Sequence, residues 1–420
     1  MSKRNAIYAQ SGGVTAVINA TASGLIEAAR SHRDRIGKVL AGRNGIIGVL
    51  REELIDTSKE NRSTIQRLRE TPGGAFGSCR YKLTNPTPDD PDIQRLFEVF
   101  AAHDVGYFFY NGGGDSQDTA NKVSKLSQQL SYPVQCIGIP KTVDNDLSGT
   151  DNCPGFGSVA KYVAISTKEA ALDVASMSES STKVFILEVM GRHAGWIAAS
   201  GGLAGEGANE PPHLILFPEA PFDSSKFLAK VEATVGRIGY CVIVASEGVQ
   251  DGDGNFLSDA ETTDAFGHAQ LGGVAPVLAN LVKEELGLKY HYAVADYLQR
   301  SSRHIASRVD VEQAYAVGRG AIAAVAAGKD DIMIGIERLQ DKPYRWRLAH
   351  VNLSKVANIE RKVPRSFRTK DEYGITARAR RYLQPLIRGE AYPAYRQGMP
   401  RYAQTKNQLV AKKLRHYEVG

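Results

Sequence analysis

Apolar and polar positions along the chain follow two alternating periods. Asn5 to Ala9 is a short apolar run that reads as a strand. It runs into Gln10-Ser11-Gly12-Gly13, after which Val17, Ile18, Thr21, Leu25 and Ala28 recur at helical spacing. The same pattern returns at Val105 to Tyr110, with Asn111-Gly112-Gly113-Gly114-Asp115-Ser116 as the turn and Ala120, Val123, Leu126 and Leu130 as the helical stripe. Val134 to Ile139 is another apolar strand, stopping at Pro140. Lys183 to Val189, Leu214 to Phe217 and Tyr240 to Ala245 are further strands with helical patterns between them. Strands alternating with helices predict an α/β fold with parallel sheets. In such sheets ligands sit beyond the carboxyl ends of the strands, where the glycine-rich and polar clusters of this chain fall. From about Asp341 onward the pattern is less regular and reads as an appended C-terminal piece.

Four strand-end clusters carry candidate chemistry. Ser11-Gly12-Gly13 opens a helix, where backbone N–H groups bind phosphate and glycine lets it approach. A tight turn alone also accounts for these residues. Gly112-Gly113-Gly114-Asp115-Ser116 suits a loop wrapping an anion, its carboxylate holding a divalent cation, although Asp or Ser before a helix also serves as an N-cap. Pro140-Lys141-Thr142-Val143-Asp144-Asn145-Asp146 places two acids, an amide, a hydroxyl and a lysine directly after an apolar strand. That mixture suits a phosphate clamp, a hydroxyl orienter and a general base better than it suits a polar turn. Met190-Gly191-Arg192-His193-Ala194-Gly195-Trp196 follows a fourth strand, and Ser246-Glu247-Gly248 and Tyr297-Leu298-Gln299-Arg300 add polar groups at comparable places. Arg suits phosphate by its planar fork and Glu suits sugar hydroxyls; His193 by itself reads as structural.

Composition narrows the class. The chain has 420 residues, 42% hydrophobic and 23% charged, which fits a globular protein of two to three domains. No apolar run approaches membrane-spanning length, and the N-terminal apolar run is too short for a signal-peptide core. The expected location is the cytoplasm. Cys79, Cys136, Cys153 and Cys241 lie far apart with no metal-ligand spacing, as expected of free thiols in a reducing compartment. The net charge of +6 is uneven: residues 361–415 carry fifteen Lys/Arg against three Asp/Glu, with tyrosines among them. Arg/Tyr mixtures build interfaces and anion pockets as well as nucleic-acid surfaces; with no recognisable binding motif, neither a nucleic-acid nor a membrane partner is expected. There is no Walker A sequence, and Gly155-Phe156-Gly157 follows no strand, so no dinucleotide fingerprint is read there.

Taken in order, these clusters resemble the phosphofructokinase family over roughly Asn5 to Ala327. The family's glycine turn, GGDGS-like loop, PGT-x-DND loop, MGR motif, SEG segment and QR segment all have counterparts. Two differences resemble the branch that uses pyrophosphate rather than ATP. The fourth place of the GGDGS-like loop, glycine in the ATP enzymes, is Asp115, and the place after the proline of the PGT loop is Lys141. A carboxylate where the ATP α-phosphate would sit repels it, and a lysine there offsets charge on a smaller donor. The family's usual metal-binding Asp corresponds to Gly114, which leaves Asp115 as the candidate ligand, with Asp144 or Asp146 as helpers.

The resemblance implies two Rossmann-like lobes with the active site in the cleft between them. Residues 1–155 would bind the phosphoryl donor, 156–300 the sugar phosphate, 301–340 would return to the first lobe, and 341–420 would form a basic extension. It implies reversible, Mg²⁺-dependent transfer from pyrophosphate to fructose 6-phosphate in glycolysis or gluconeogenesis, by a homodimer or homotetramer. Asp144 would take the proton, with its ordinary pKa keeping it ionised; Lys141 and Asp115 would govern the donor, and Gly12, Gly13 and Arg80 would line it. Thr142, Val143, Asp146, Met190, Gly191, Arg192, Glu247, Tyr297 and Arg300 would form the sugar-phosphate pocket, and Lys183 would reach a neighbouring subunit's substrate. An ATP-dependent kinase and a non-catalytic sugar-phosphate sensor are the alternatives. Asp115 and Lys141 argue against the first, and the base Asp144 against the second.

Overall fold

The computed structural model describes residues 3–83, 86–207, 209–257, 259–263, 269–271, 273–357 and 359–419, with only the backbone of 259–263 and 269–271. The first set of elements is β1 (Arg4–Gln10), α1 (Ile18–Ser31), β2 (Ile36–Gly42), α2 (Ile46–Leu50), β3 (Leu54–Asp56), α3 (Arg62–Arg67), α4 (Pro91–Ala102), β4 (Val105–Gly112), α5 (Gly114–Gln129) and β5 (Gln135–Pro140). The long helix α6 (Phe156–Met177) leads to the second set, β6 (Val184–Val189), α7 (Trp196–Gly201), β7 (Leu214–Leu216), α8 (Ser224–Ile238) and β8 (Cys241–Ser246). A small antiparallel pair, β9 (Asp259–Thr263) and β10 (Ala269–Leu271), precedes α9 (Val274–Leu286), β11 (Tyr290–Val294) and α10 (Asp296–Ser301). The chain then returns through α11 (Arg308–Ala326) to β12 (Ile332–Asp341) and β13 (Tyr344–Asn352), with α12 (Ala377–Leu383) further on.

Two parallel-sheet lobes result. The first sheet has the order β13-β12-β5-β4-β1-β2-β3 and the second β11-β6-β8-β7. All pairs are parallel except the outermost β12–β13 and β2–β3 of the first sheet. β4 and β8 are buried along their whole length, as strands covered on both faces must be. Strand alternation divides the first lobe's core in two. Ala6, Tyr8 and Phe109 face α1 and α11, whereas Ile7, Ala9, Phe108 and Tyr110 face α4 and α5. In the second lobe, Ile186 and Ile243 pack under α8 and α9, and Leu187 and Val244 under α6 and α7.

The stretch from 341 onward, expected as an appendage, is part of both lobes. β13 pairs with β12 along its whole length. Val363, Phe367, Leu383 and Leu386 are then buried in the second lobe's core. The last segment returns to the first lobe, where Asp56 donates its N–H to Gln408 O at 2.8 Å and Val410 N–H to Leu54 O at 2.9 Å. This covers the open edge of β3, the place where an unpaired strand would otherwise recruit another chain. Some of the segment's arginines bond backbone carbonyls: Arg365 donates to Thr369 O (2.8 Å), Arg368 to Glu219 O (3.1 Å) and Arg380 to Gly202 O (2.7 Å). Among the described residues no helix is long and apolar enough to cross a membrane.

Candidate functional site

The carboxyl ends of β1, β4 and β5 point at those of β6, β8 and β11 across a cleft. The β1 turn is held from the side: Ser11 bridges Cys79, Gly12 donates its N–H to Cys79 O at 2.8 Å, and Ser78 Oγ donates to Gly12 O at 2.7 Å. Arg80 is thereby carried beside the turn. Gly12 has φ +73°, and a Cβ there would lie 3.3 Å from Lys141 Nζ. A Cβ at Gly13 would lie 2.6 Å from a guanidinium nitrogen of Arg300, which reaches over from the second lobe. Two cations from opposite walls thus close on a turn that only glycine leaves open, an arrangement suited to phosphate.

The β5 loop sits deepest. Lys141 is 4% exposed and Asn145 is fully buried. Asp144 N–H donates to Thr142 Oγ1 at 3.0 Å, which fixes the carboxylate above the hydroxyl. Asn145 adopts φ +56°, a left-handed conformation that asparagine enters more readily than most residues because its short polar side chain can hydrogen-bond nearby. Its Oδ1 accepts from Cys153 N–H at 3.0 Å and its Nδ2 donates to Tyr382 Oη at 3.0 Å.

Electrostatics follow burial. Burial pulls the Lys141 ammonium down to about 8, against the attraction of Asp144 and with the repulsion of Arg300 and Arg80. Burial pushes the Asp144 carboxyl above its ordinary value, opposed by Lys141, Thr142, Arg192 and Arg300. The expectation of an ordinary pKa for Asp144 therefore does not hold; the raised value makes it the stronger base. Asp146 is pushed up to about 7 by burial and then by the charge of Asp144, and Glu247 to about 7 by burial. Asp144 interacts with Lys141 from its own loop and with Arg192 and Arg300 from the other lobe, so the predicted residues of both lobes share one electrostatic environment.

The second lobe presents Gly191 at φ +137°, its N–H donating to Glu247 Oε1 at 3.2 Å and its carbonyl accepting from Ser246 Oγ at 2.5 Å. Met190 N–H donates to the buried Gln299 at 3.2 Å. Arg300 stacks on Tyr297, whose ring is 63% exposed, with 3.9 Å between guanidinium carbon and ring centroid.

Two predicted residues stand apart, and a third is held in an ion pair. The Val143 side chain packs into the second lobe's core. Lys183 lies before the start of β6, about 20 Å of strand away from Gly191, and its Nζ donates to Glu179 O at 3.3 Å and to Ser178 O. Asp115 stands in the first turn of α5, half-buried, with its Oδ1 2.8 Å from Lys82 Nζ; that bond raises the Lys82 pKa. Lys82 went unnoticed in the sequence, as did Arg361 and Tyr382 behind the β5 loop. Their spacing from their partners carries no local signal. For Arg361 and Tyr382 the only available hint was the Arg/Tyr mixture of the C-terminal segment.

The fold and the cleft match known proteins. A family model described as phosphofructokinase covers residues 5–325, and the chain belongs to that family. Within it, the chain is 58% identical over its whole length to the pyrophosphate–fructose 6-phosphate 1-phosphotransferase of Halomonas elongata and 59% to that of Xanthomonas campestris, covering all of each. The crystal structure of the pyrophosphate-dependent phosphofructokinase from Marinobacter aquaeolei is 61% identical and superimposes with a TM-score of 0.91, over 99% of this chain and all of that one.

Proposed function

We propose that this cleft catalyses reversible transfer of a phosphoryl group from inorganic pyrophosphate to the 1-hydroxyl of fructose 6-phosphate, giving fructose 1,6-bisphosphate and phosphate. The observation that carries this reading is the pairing, in one buried loop facing the glycine turn, of a base (Asp144) with a cation (Lys141), where a nucleotide-dependent relative would have glycine in place of the lysine. The 1-hydroxyl oxygen bonds to phosphorus, its proton passes to Asp144, and the bridging P–O bond of pyrophosphate breaks to release phosphate. Little covalent work falls to the protein, so positioning and charge supply most of the acceleration. Lys141, Arg80 and Arg300 neutralise the donor and the departing phosphate. Arg192 and Glu247 hold the sugar phosphate, with Met190, Gly191, Thr142, Asp146 and Tyr297 shaping the pocket. In reverse, protonated Asp144 returns its proton to the sugar oxygen.

Family phosphotransferases generally use Mg²⁺. No group of three or more His, Cys, Asp or Glu suited to a metal occurs among the described residues. Mg²⁺ is commonly held by one or two carboxylates together with a substrate's own phosphate oxygens. Asp115 would hold it, sharing its carboxylate with Lys82. When bound, Mg²⁺ would neutralise charge on the transferring phosphoryl oxygens. Four free cysteines, three of them buried, support a cytoplasmic setting. A homodimer or homotetramer belongs to the same reading: Lys183 lies far from its own cleft, on the lobe whose edge strand β11 exposes Tyr292 and Val294. The test is formation of fructose 1,6-bisphosphate from fructose 6-phosphate with Mg²⁺ and either pyrophosphate or ATP. Turnover with pyrophosphate and little or none with ATP is expected; a preference for ATP overturns the reading.

A further inference from the structure

The turn that bears Asp144 is braced from behind by residues outside the matched span 5–325. Arg361 Nε and Nη2 both donate to Asn145 O, at 3.2 and 2.9 Å, and Nη1 donates to Thr150 O and Asp151 O at 2.8 and 2.5 Å. Its backbone N–H donates to Asp146 O at 2.6 Å. Tyr382 Oη donates to Asp151 O at 2.6 Å while accepting from Asn145 Nδ2 at 3.0 Å and from Arg361 Nη2 at 3.3 Å. All the backbone carbonyls that the guanidinium grips lie between residues 145 and 151, directly after the proposed base, around an asparagine held at φ +56°. On its other side Arg361 O accepts from Trp196 Nε1 at 2.8 Å, and the guanidinium lies 4.8 Å from the Trp196 ring centroid. Trp196 is the first residue after the loop that carries Arg192.

We infer that Arg361, seconded by Tyr382, is a positioning residue for phosphoryl transfer: it holds the Asp144 turn in its strained shape and ties it to the Arg192 loop of the opposite lobe. The inference rests on the proposed reaction. Two carbonyl-directed forks demand a planar guanidinium, which lysine's single ammonium does not reproduce. The side-chain bonds of Arg361 go to carbonyls of the turn that follows Asp144, so its loss should displace the base while leaving binding largely intact.

The experiment measures kcat and both KM values, with pyrophosphate and fructose 6-phosphate, for the native chain, Arg361→Gln, Arg361→Lys and Tyr382→Phe, with thermal unfolding on each. The expected result is a kcat lower by about 10- to 100-fold in Arg361→Gln with both KM values within about threefold. Arg361→Lys should recover little of this, and Tyr382→Phe should lose about fivefold in kcat. If Arg361→Gln does not fold, Tyr382→Phe, which removes one hydroxyl, decides. A kcat within twofold of native in Tyr382→Phe and in any folded Arg361 variant overturns the inference, as does a loss carried by KM. A native chain inactive with pyrophosphate overturns the proposed reaction instead.

Discussion

The β5 and β4 loops each bring a carboxylate to the same cleft from adjacent strands, and they treat it in opposite ways. Asp144, partly exposed, sits on a turn held in a left-handed conformation and gripped from behind by Arg361 and Tyr382, and the surrounding protein raises its pKa by desolvation. Asp115 stands half-buried at the start of a helix, and its charge is met by Lys82 at 2.8 Å. In the proposed reaction the first environment suits a base, because a carboxylate that water stabilises poorly takes a proton more readily. In the proposed reaction the second would set charge and space at the donor, with the carboxylate at a helix N-terminus and beside a lysine. On the proposed reaction, adjacent strand ends would provide two functions from one functional group, and the difference lies in what surrounds each.

That contrast can be broken most severely at the base. Asp144→Asn keeps size and leaves Thr142 a partner but cannot accept the proton. It should lower kcat by about 10²–10⁴ with KM values little changed. A kcat within a few-fold of native would show that the proton goes elsewhere.

Next in size is Lys141→Met, which removes the buried cation facing Gly12. Loss of one such stabilising group costs about 10²–10³ in kcat, and steady-state kinetics with pyrophosphate should show it in kcat more than in KM. The same lysine predicts a pH dependence. Its folded pKa is lowered to about 8, so the ammonium is present below that pH and lost above it. kcat/KM for pyrophosphate should therefore fall as pH rises through about 8. The limb should move to higher pH in kcat, because a bound anion favours the charged form. The sign for stability is the reverse: a cation whose pKa is depressed on folding destabilises the empty fold below about 8 and ceases to do so above its unfolded value. A pH profile flat to 10 in both parameters would contradict this reading of Lys141.

The smallest effect belongs to Lys82. It is partly exposed, and Lys82→Ala should raise the KM for pyrophosphate about fivefold with kcat almost unchanged, the scale of a single solvated ion pair. A large loss of kcat would mean that Lys82 touches the transferring group.

Much of this was legible in the sequence. β1 and β4 to β8 were expected within a residue or two of where they lie, because unbroken apolar runs bounded by glycine or proline leave few other readings, whereas β2 and β3 were not read as strands. The four strand-end clusters meet, because parallel strands deliver their carboxyl ends to one side. What was not legible depends on distant partners. β11, with exposed Tyr292 and Val294 on an edge strand, has no clear alternation. β13 and the tail are held by arginine forks onto carbonyls and by edge pairing with β3, neither of which has a sequence period. The Lys82–Asp115 pair joins two loops 33 residues apart, and the raised pKa of Asp144 comes from burial that only the closed fold creates.

The donor is the central claim, and one comparison tests it most directly: kcat/KM for pyrophosphate and for ATP, with Mg²⁺ and saturating fructose 6-phosphate, in the native chain and in Asp115→Gly. The native chain should use pyrophosphate almost exclusively. Removing the Asp115 carboxylate opens space for a nucleotide's α-phosphate and leaves the Lys82 cation to meet it, so Asp115→Gly should acquire measurable ATP turnover while its pyrophosphate reaction weakens. A native chain that prefers ATP, or an Asp115→Gly variant that keeps full pyrophosphate activity with no detectable use of ATP, would contradict the account.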